Sequence, residues 1–211
     1  MGRATSVVRE VTESDLPTVA RLHVQAFPDS VLGKLGAEAV RRNYLWQLTG
    51  PHDLTALVAT HDDVVLGFLF GGLFRGSTIG FVKKEKWFLA RRVLTRPAIL
   101  FRSVGRNRLG LAAKLLTRRS QPSQSEEPAS VPPRSFGVLA IAVDPAAQGK
   151  GIGVALMKEA RVRAVAQGYA AMHLTVHPEN TSALGFYRSL GWSEMNEPDG
   201  SWVGRMKIAL D

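Results

Sequence analysis

The stretch Val143–Ala160, VDPAAQGKGIGVALMKEA, sets Gly149, Gly151 and Gly153 at alternate positions and then runs into helix-forming residues. A helix N-terminus carries backbone N–H groups without intrahelical partners and a dipole that favours negative charge, so a glycine-rich approach to one makes a phosphate cradle. The glycines remove Cβ atoms where a pyrophosphate could press on the backbone, and Lys150 can add a charge. Tight turn geometry alone would also account for them. Spacing excludes two phosphate sites. A Walker loop wants Ser or Thr after Gly-Lys, whereas Gly151 follows Lys150. A dinucleotide fingerprint wants a third glycine where Leu156 stands and an acid ending the next strand, which ends at His177.

Downstream, AMHLTVHPEN places His173 and His177 two residues to either side of Thr175, on one face of a regular strand. Either imidazole could relay a proton, and either could equally be a solvated structural residue at a strand end. Tyr187 shares a helical face with Ala183, Leu184 and Leu190, which reads as packing or as a hydroxyl presented for proton transfer. The chain has no cysteine, so it holds no disulfide, no thiolate metal site and no Cys nucleophile, and no metal is expected.

The elements that must position these residues follow from periodicity. VVRE (Val7–Glu10) reads as a strand, and TESDLPTVARLHVQAF as a helix capped by Thr12 or Ser14 with Leu16, Val19, Ala20 and Val24 on one face. Ala37–Leu48 reads as a second helix. LTALVAT and VVLGFLFGGLF flank the polar turn His61-Asp62-Asp63 as a hairpin. From Phe136 come the strand FGVLAIAV, the glycine loop, a helix to Gln167, the strand AMHLTV, the helix NTSALGFYRSL and short strands near Trp192 and from Trp202 to Ile208. Strands alternating with helices after an antiparallel hairpin indicate an α/β (α+β) sheet with helices on its faces. The 211 residues fit one domain.

Two segments interrupt that domain. Residues 76–119 hold twelve Lys or Arg against the single acid Glu85, and the rest of the chain has fifteen bases and seventeen acids, so one segment supplies the whole excess of the +9 net charge. Helical patches are expected around Lys83–Leu94 and Ile99–Leu116, as a basic insertion between the third and fourth strands. It reads as a solvated lid or as a surface for an anionic membrane, with nucleic acid behind both. Residues 121–133, QPSQSEEPASVPP, have the composition of a flexible linker. The longest apolar run, Val64–Phe74, is far short of the roughly 20 residues of a membrane-spanning helix. A cytoplasmic protein is expected, with peripheral attachment to the inner membrane face as one reading of the insertion.

With these residues in hand, the chain resembles the GNAT family of acetyl-CoA-dependent N-acetyltransferases. QGKGIG (Gln148–Gly153) matches its Gln/Arg-x-x-Gly-x-Gly/Ala signature, and VHPENTSALGFYRSLGW (Val176–Trp192) matches its Asn…Ala…Phe-Tyr…Leu-Gly-Phe/Trp segment. The resemblance implies a twisted mixed sheet whose fourth and fifth strands splay apart to admit a pantetheine arm. It implies that Ile141, Ala142 and Val143 meet that arm, that Gln148, Gly149, Lys150, Gly151, Ile152 and Gly153 hold the pyrophosphate, that Asn180 contacts the coenzyme near the splay, and that Tyr187 stands near the thioester sulfur. Tyr187 would protonate the leaving thiolate, and N–H groups at Ile141 or Val143 would stabilise the oxyanion. Some relatives, among them ribosomal-protein alanine N-acetyltransferases, place a glutamate base where this chain has Thr175, which leaves His177, His173 or water. Without a cysteine to carry the acyl group, direct transfer to an amine is favoured. A small molecule or amino sugar is favoured as acceptor over a protein N-terminus, with a non-catalytic CoA-binding sensor as the other alternative. Asp29, Glu38 and Tyr44 are candidates to meet the acceptor.

Overall fold

The structure is a computed structural model, and it describes residues 6–73, 77–95 and 134–210. Seven described strands form one sheet: β1 (Val7–Glu10), β2 (Asp53–His61), β3 (Val64–Leu73), β4 (Ser135–Val143), β5 (Ala171–Thr175), β6 (Ser193–Glu194) and β7 (Arg205–Ala209). Their spatial order is β1-β2-β3-β4-β5-β7-β6, with β4 and β5 parallel and the other neighbours antiparallel. The helices are α1 (Leu16–Ala26), α2 (Val31–Leu35), α3 (Ala37–Thr49), α4 (Ser77–Lys84), α5 (Lys86–Thr95), α6 (Ile152–Ala166) and α7 (Thr181–Ser189). The mixed sheet flanked by helices is the architecture expected from sequence.

The start of α1 is set by charge rather than by Thr12 or Ser14 acting alone. The Asp15 carboxylate accepts from Thr12 N and Thr12 Oγ1, each at 2.8 Å, and from Arg9 at 2.7 and 2.8 Å, holding a 3-10 turn ahead of Leu16. The β2–β3 hairpin turns on Asp62 and Asp63, both with positive φ (47° and 62°), as a two-residue turn of the type that matches strand twist.

Two cores lie on opposite faces of the sheet. α1 and α3 cover Val58, Phe68 and Phe70, with Tyr44 between them. α6 and α7 cover Leu57, Leu69, Phe136 and Met172. Strand β4 serves both through a bulge. Phe70 faces Ala140 and Gly71 faces Val138, so Leu139 is the extra residue. Even-numbered Phe136 and Val138 pack beneath α6 and α7 before the bulge, and odd-numbered Ile141 and Val143 do so after it.

The described part of the basic insertion lies between β3 and β4, as expected, but it is two helices broken at Glu85 rather than one patch. Both pack toward α3. Arg42 Nη1 is 2.8 Å from Glu85 Oε2, the Arg42 guanidinium lies 4.3 Å from the Phe88 ring centroid, and a Cβ on Gly80 would meet Trp46 Cζ2 at 2.7 Å. The second expected helical patch and the 121–133 linker lie outside the described residues.

Candidate active site

The parallel pairing of β4 with β5 ends at Val138–Leu174, although β4 runs on to Val143 beside β3. β5 stays with its other neighbour: it pairs with β7 to Thr175–Arg205, and Val176 N then donates to Gly204 O at 2.8 Å. The strands therefore part, and a cleft of about 810 Å³ opens between them. Asp144 N donates to Leu66 O at 2.7 Å, which fixes the direction of the preceding groups. By strand alternation, Ala142 turns its N–H and C=O toward β3, whereas Ile141 and Val143 turn theirs into the cleft. Gln148 Nε2 reaches Val143 O at 3.5 Å, on that open side.

At the far end stands the N-terminus of α6. Asp144 Oδ1 accepts from Ala146 N at 3.0 Å and holds a 3-10 turn, after which Gly149 (φ 75°) and Gly151 (φ 81°) take the left-handed conformation. The first helical bond is Ala155 N to Gly151 O, so the amides of Ile152, Gly153 and Val154 precede the ladder. A Cβ on Gly149 or Gly151 would meet open space, in keeping with room for a ligand over exposed amides. Gly153 has a different reason: its Cβ would lie 3.3 Å from Phe186 Cζ, so its absence lets α6 and α7 approach. Lys150 is not among the residues lining the cleft, and its Nζ donates to Ala146 O at 3.2 Å.

Asn180 caps α7, its Oδ1 accepting from Ala183 N at 3.0 Å, and lines the cleft beside Ser182 and Ala183. α7 carries Tyr187 inward, its ring 5.2 Å from Phe186 and 5.9 Å from Trp192. Burial pushes the Tyr187 phenol up to about 12, and among the described residues no protein atom accepts its proton. His177 lines the mouth with its side chain 72% exposed, and its Nδ1 accepts from Glu179 N at 3.3 Å. That bond leaves Nε2 to carry the proton of the neutral ring. His173 is not in the lining: it faces the buried Ser135, with Nδ1 to Oγ at 2.8 Å.

The acceptor candidates fare differently. Tyr44 is buried between α1 and α3, its hydroxyl 2.8 Å from His23 Nδ1 and its ionisation pushed well up by burial, so it is a core residue. Glu38 is clamped by Arg41 and Arg42 at 2.8 Å each, which holds its carboxyl down to about 2. Asp29 projects into solvent 3.6 Å from Lys34. None of the three lines the cleft; Phe27, Leu139, Thr175 and Phe186 do. Phe27 and Leu139 are legible only once the bulge and the α1 packing are known, since neither stands in a motif.

Together, the outward-turned edge of β4 and the free amides of α6 fit the coenzyme that the sequence motifs imply: an extended amide-bearing arm with a diphosphate at one end. The profile of the family described as "Acetyltransferase (GNAT) family" matches residues 16–192. Mycothiol acetyltransferase of Jonesia denitrificans is 42% identical over 62 residues, which are 29% of this chain and 20% of that protein. N-alpha-acetyltransferase RimI of Mycobacterium tuberculosis is 41% identical over 64 residues, 30% of this chain and 39% of the relative. The chain thus aligns with well under two thirds of either relative. The crystal structure of PaiA N-acetyltransferase from Thermoplasma acidophilum in complex with coenzyme A superposes with a TM-score of 0.57 at 14% identity, over 97% of this chain and 99% of that one, a likeness of fold.

Proposed function

The chain belongs to the acetyltransferase (GNAT) family, and from that membership we propose that it moves an acetyl group directly from acetyl-CoA to an amine on a small molecule or amino sugar. The observation that carries this reading is the wedge between β4 and β5, lined by the Tyr187 side chain and closed at one end by the unladdered amides of α6. Gln148, Gly149, Gly151, Ile152 and Gly153 would hold the diphosphate through backbone groups, and Ile141, Val143 and Asn180 would bind the arm. Ala142 would contribute shape alone, and Lys150 would act as a nearby charge.

Acetyl-CoA supplies an activated acyl carbonyl and a sulfur leaving group. The acceptor amine must lose a proton before it can attack, because an ordinary alkyl ammonium has no lone pair. Backbone N–H at Ile141 or Val143 would face the developing oxyanion. Tyr187 would hold the departing sulfur by a hydrogen bond. A proton given outright from a phenol at about 12 to a thiolate of ordinary value near 8.5 runs uphill by roughly 5 kcal/mol. Coenzyme A would then depart as a thiolate held by that hydrogen bond, and the proton shed by the amine would pass along water toward His177 at the mouth. With Nδ1 engaged by Glu179 N, His177 must release that amide before it accepts a proton.

The α-amine of a protein N-terminus is the second acceptor class, favoured by the match to the M. tuberculosis N-alpha-acetyltransferase. Incubating the purified chain with radiolabelled acetyl-CoA and a cell extract, then separating small-molecule, lipid and protein fractions, tests all of this. Label in the small-molecule fraction is expected, label confined to protein shifts the reading to the second class, and label confined to lipid overturns both. No label with coenzyme binding intact would leave a coenzyme sensor.

A further inference from the structure

The basic insertion is not used by the chemistry above, yet the fold sorts its side chains. On α4 and α5 the side toward the core carries buried Phe81, Gly80 against Trp46, and Phe88 under the Arg42 guanidinium. The single acid of the segment, Glu85, is drawn to that side, its side chain only 16% exposed in the pair with Arg42. What remains outward is basic and apolar. Lys83 is exposed, and so are Lys86, Trp87, Ala90, Arg91 and Leu94, which follow one side of α5 at helical spacing, while Lys84 turns its Nζ back to 5.0 Å from the Trp46 ring centroid. Trp87 is 80% exposed and Leu94 82%, seven residues apart, and on α4 Ile79 (57%) and Val82 (48%) are exposed as well. Lys86 Nζ lies 5.6 Å from the Trp87 ring centroid, so charge and indole are presented together.

We propose that this outward face is a docking surface for an anionic phospholipid leaflet. Its charge complements lipid phosphate, and withdrawal of Glu85 leaves no carboxylate among the described residues of 77–95 to oppose it. The apolar members choose the partner. A phosphate backbone has no use for Leu94, Ile79 or Val82, whereas an interfacial helix buries aliphatic and indole groups at the acyl boundary while lysines stay with the headgroups. The long lysine stems beside Trp87 suit that division. α5 also touches α2, the short helix that follows the Phe27 rim of the cleft.

The test is co-sedimentation of the full chain with phosphatidylcholine vesicles, with and without about one third phosphatidylglycerol, at low and high salt. Wild-type protein is expected to pellet with the anionic vesicles at low salt and not with the neutral ones. Lys83→Glu/Lys84→Glu/Lys86→Glu should weaken the binding roughly tenfold or more, and Trp87→Ala/Leu94→Ala should weaken it severalfold. Unchanged coenzyme affinity in both variants shows that they are folded. Wild-type protein that stays in the supernatant with anionic vesicles overturns the proposal, and so does pelleting that the charge reversal leaves intact. Binding to single-stranded RNA that survives Trp87→Ala/Leu94→Ala, in a protein that ignores vesicles, would assign the face to nucleic acid. A dimer broken by that double change would assign it to a second copy of the chain.

Discussion

Tyr187 and Gly151 carry the sharpest predictions at the scale of single residues. Tyr187→Phe keeps the ring that packs on Phe186 and Trp192 and removes the hydroxyl. Loss of a hydrogen bond to a charged sulfur should lower turnover by roughly ten- to a hundredfold, with coenzyme affinity nearly unchanged by calorimetry; equal turnover would remove Tyr187 from the mechanism. Because the wild-type phenol ionises only near 12, the alkaline limb of the rate profile below that value belongs to another group. Gly151→Asp sets a carboxylate over the α6 amides in a left-handed position and should abolish coenzyme binding. Wild-type affinity in that variant would place the pyrophosphate elsewhere. Gly149 and Gly151 stood out by their spacing before a helix because that backbone need is local, whereas Asn180 and Tyr187 were singled out only through the resemblance to the family motif. Gly153 looked the same in sequence, yet its reason is a ring on α7 thirty-three positions away. Glu38 and Tyr44 were read as acceptor contacts because their partners, two arginines and a buried histidine, come from helix and tertiary packing.

Among elements, the glycines of β3 and α7 make a matched pair. A Cβ on Gly71 would sit 2.3 Å from Phe136 Cε1, whereas one on Gly185 meets nothing. Gly71→Ala should cost at least about 1–3 kcal/mol, and Gly185→Ala should gain up to about 1 kcal/mol, read from denaturant midpoints; similar shifts for both would refute the β4 bulge packing. The α1–α3 seam carries a pH signature. Burial holds His23 down to about 4 from an ordinary 6.5, so its contribution is whole above pH 6.5 and is lost as pH falls through 4, roughly 3 kcal/mol in all. Asp15 and Glu38, each lowered to about 2, lose theirs only at more acid pH. Stability of His23→Asn should therefore decline less between pH 6.5 and 4 than that of the wild type, and an unchanged slope would place the acid sensitivity elsewhere. Apart from the five-residue α2, which has too few turns to show a period, element types and order were legible from periodicity. The bulge at Leu139 and the break at Glu85 were not, because neither is marked by Gly or Pro: one is set by register against β3 and the other coincides with the pull of Arg42.

For the whole molecule, the two cores meet through a sheet parted on one side, and a ligand lying in that parting would tie β4 and β5 together again. Acetyl-CoA at about a hundred times its dissociation constant should raise the unfolding midpoint by roughly 5–10 °C; no shift would mean that the cleft does not take the coenzyme. The α/β (α+β) architecture followed from alternation of strands and helices, and the splay entered only through the family resemblance, because it arises from β5 holding to β7 through Val176, a choice made by Gly204. A parted sheet also has a colloidal consequence. The edge of β4 from Leu139 to Val143 offers outward N–H and C=O groups to any extended chain that reaches it, as an outer strand of a sheet does. Preparations lacking coenzyme should accordingly clump on storage sooner than loaded ones, with the lag before turbidity lengthening as acetyl-CoA fills the gap.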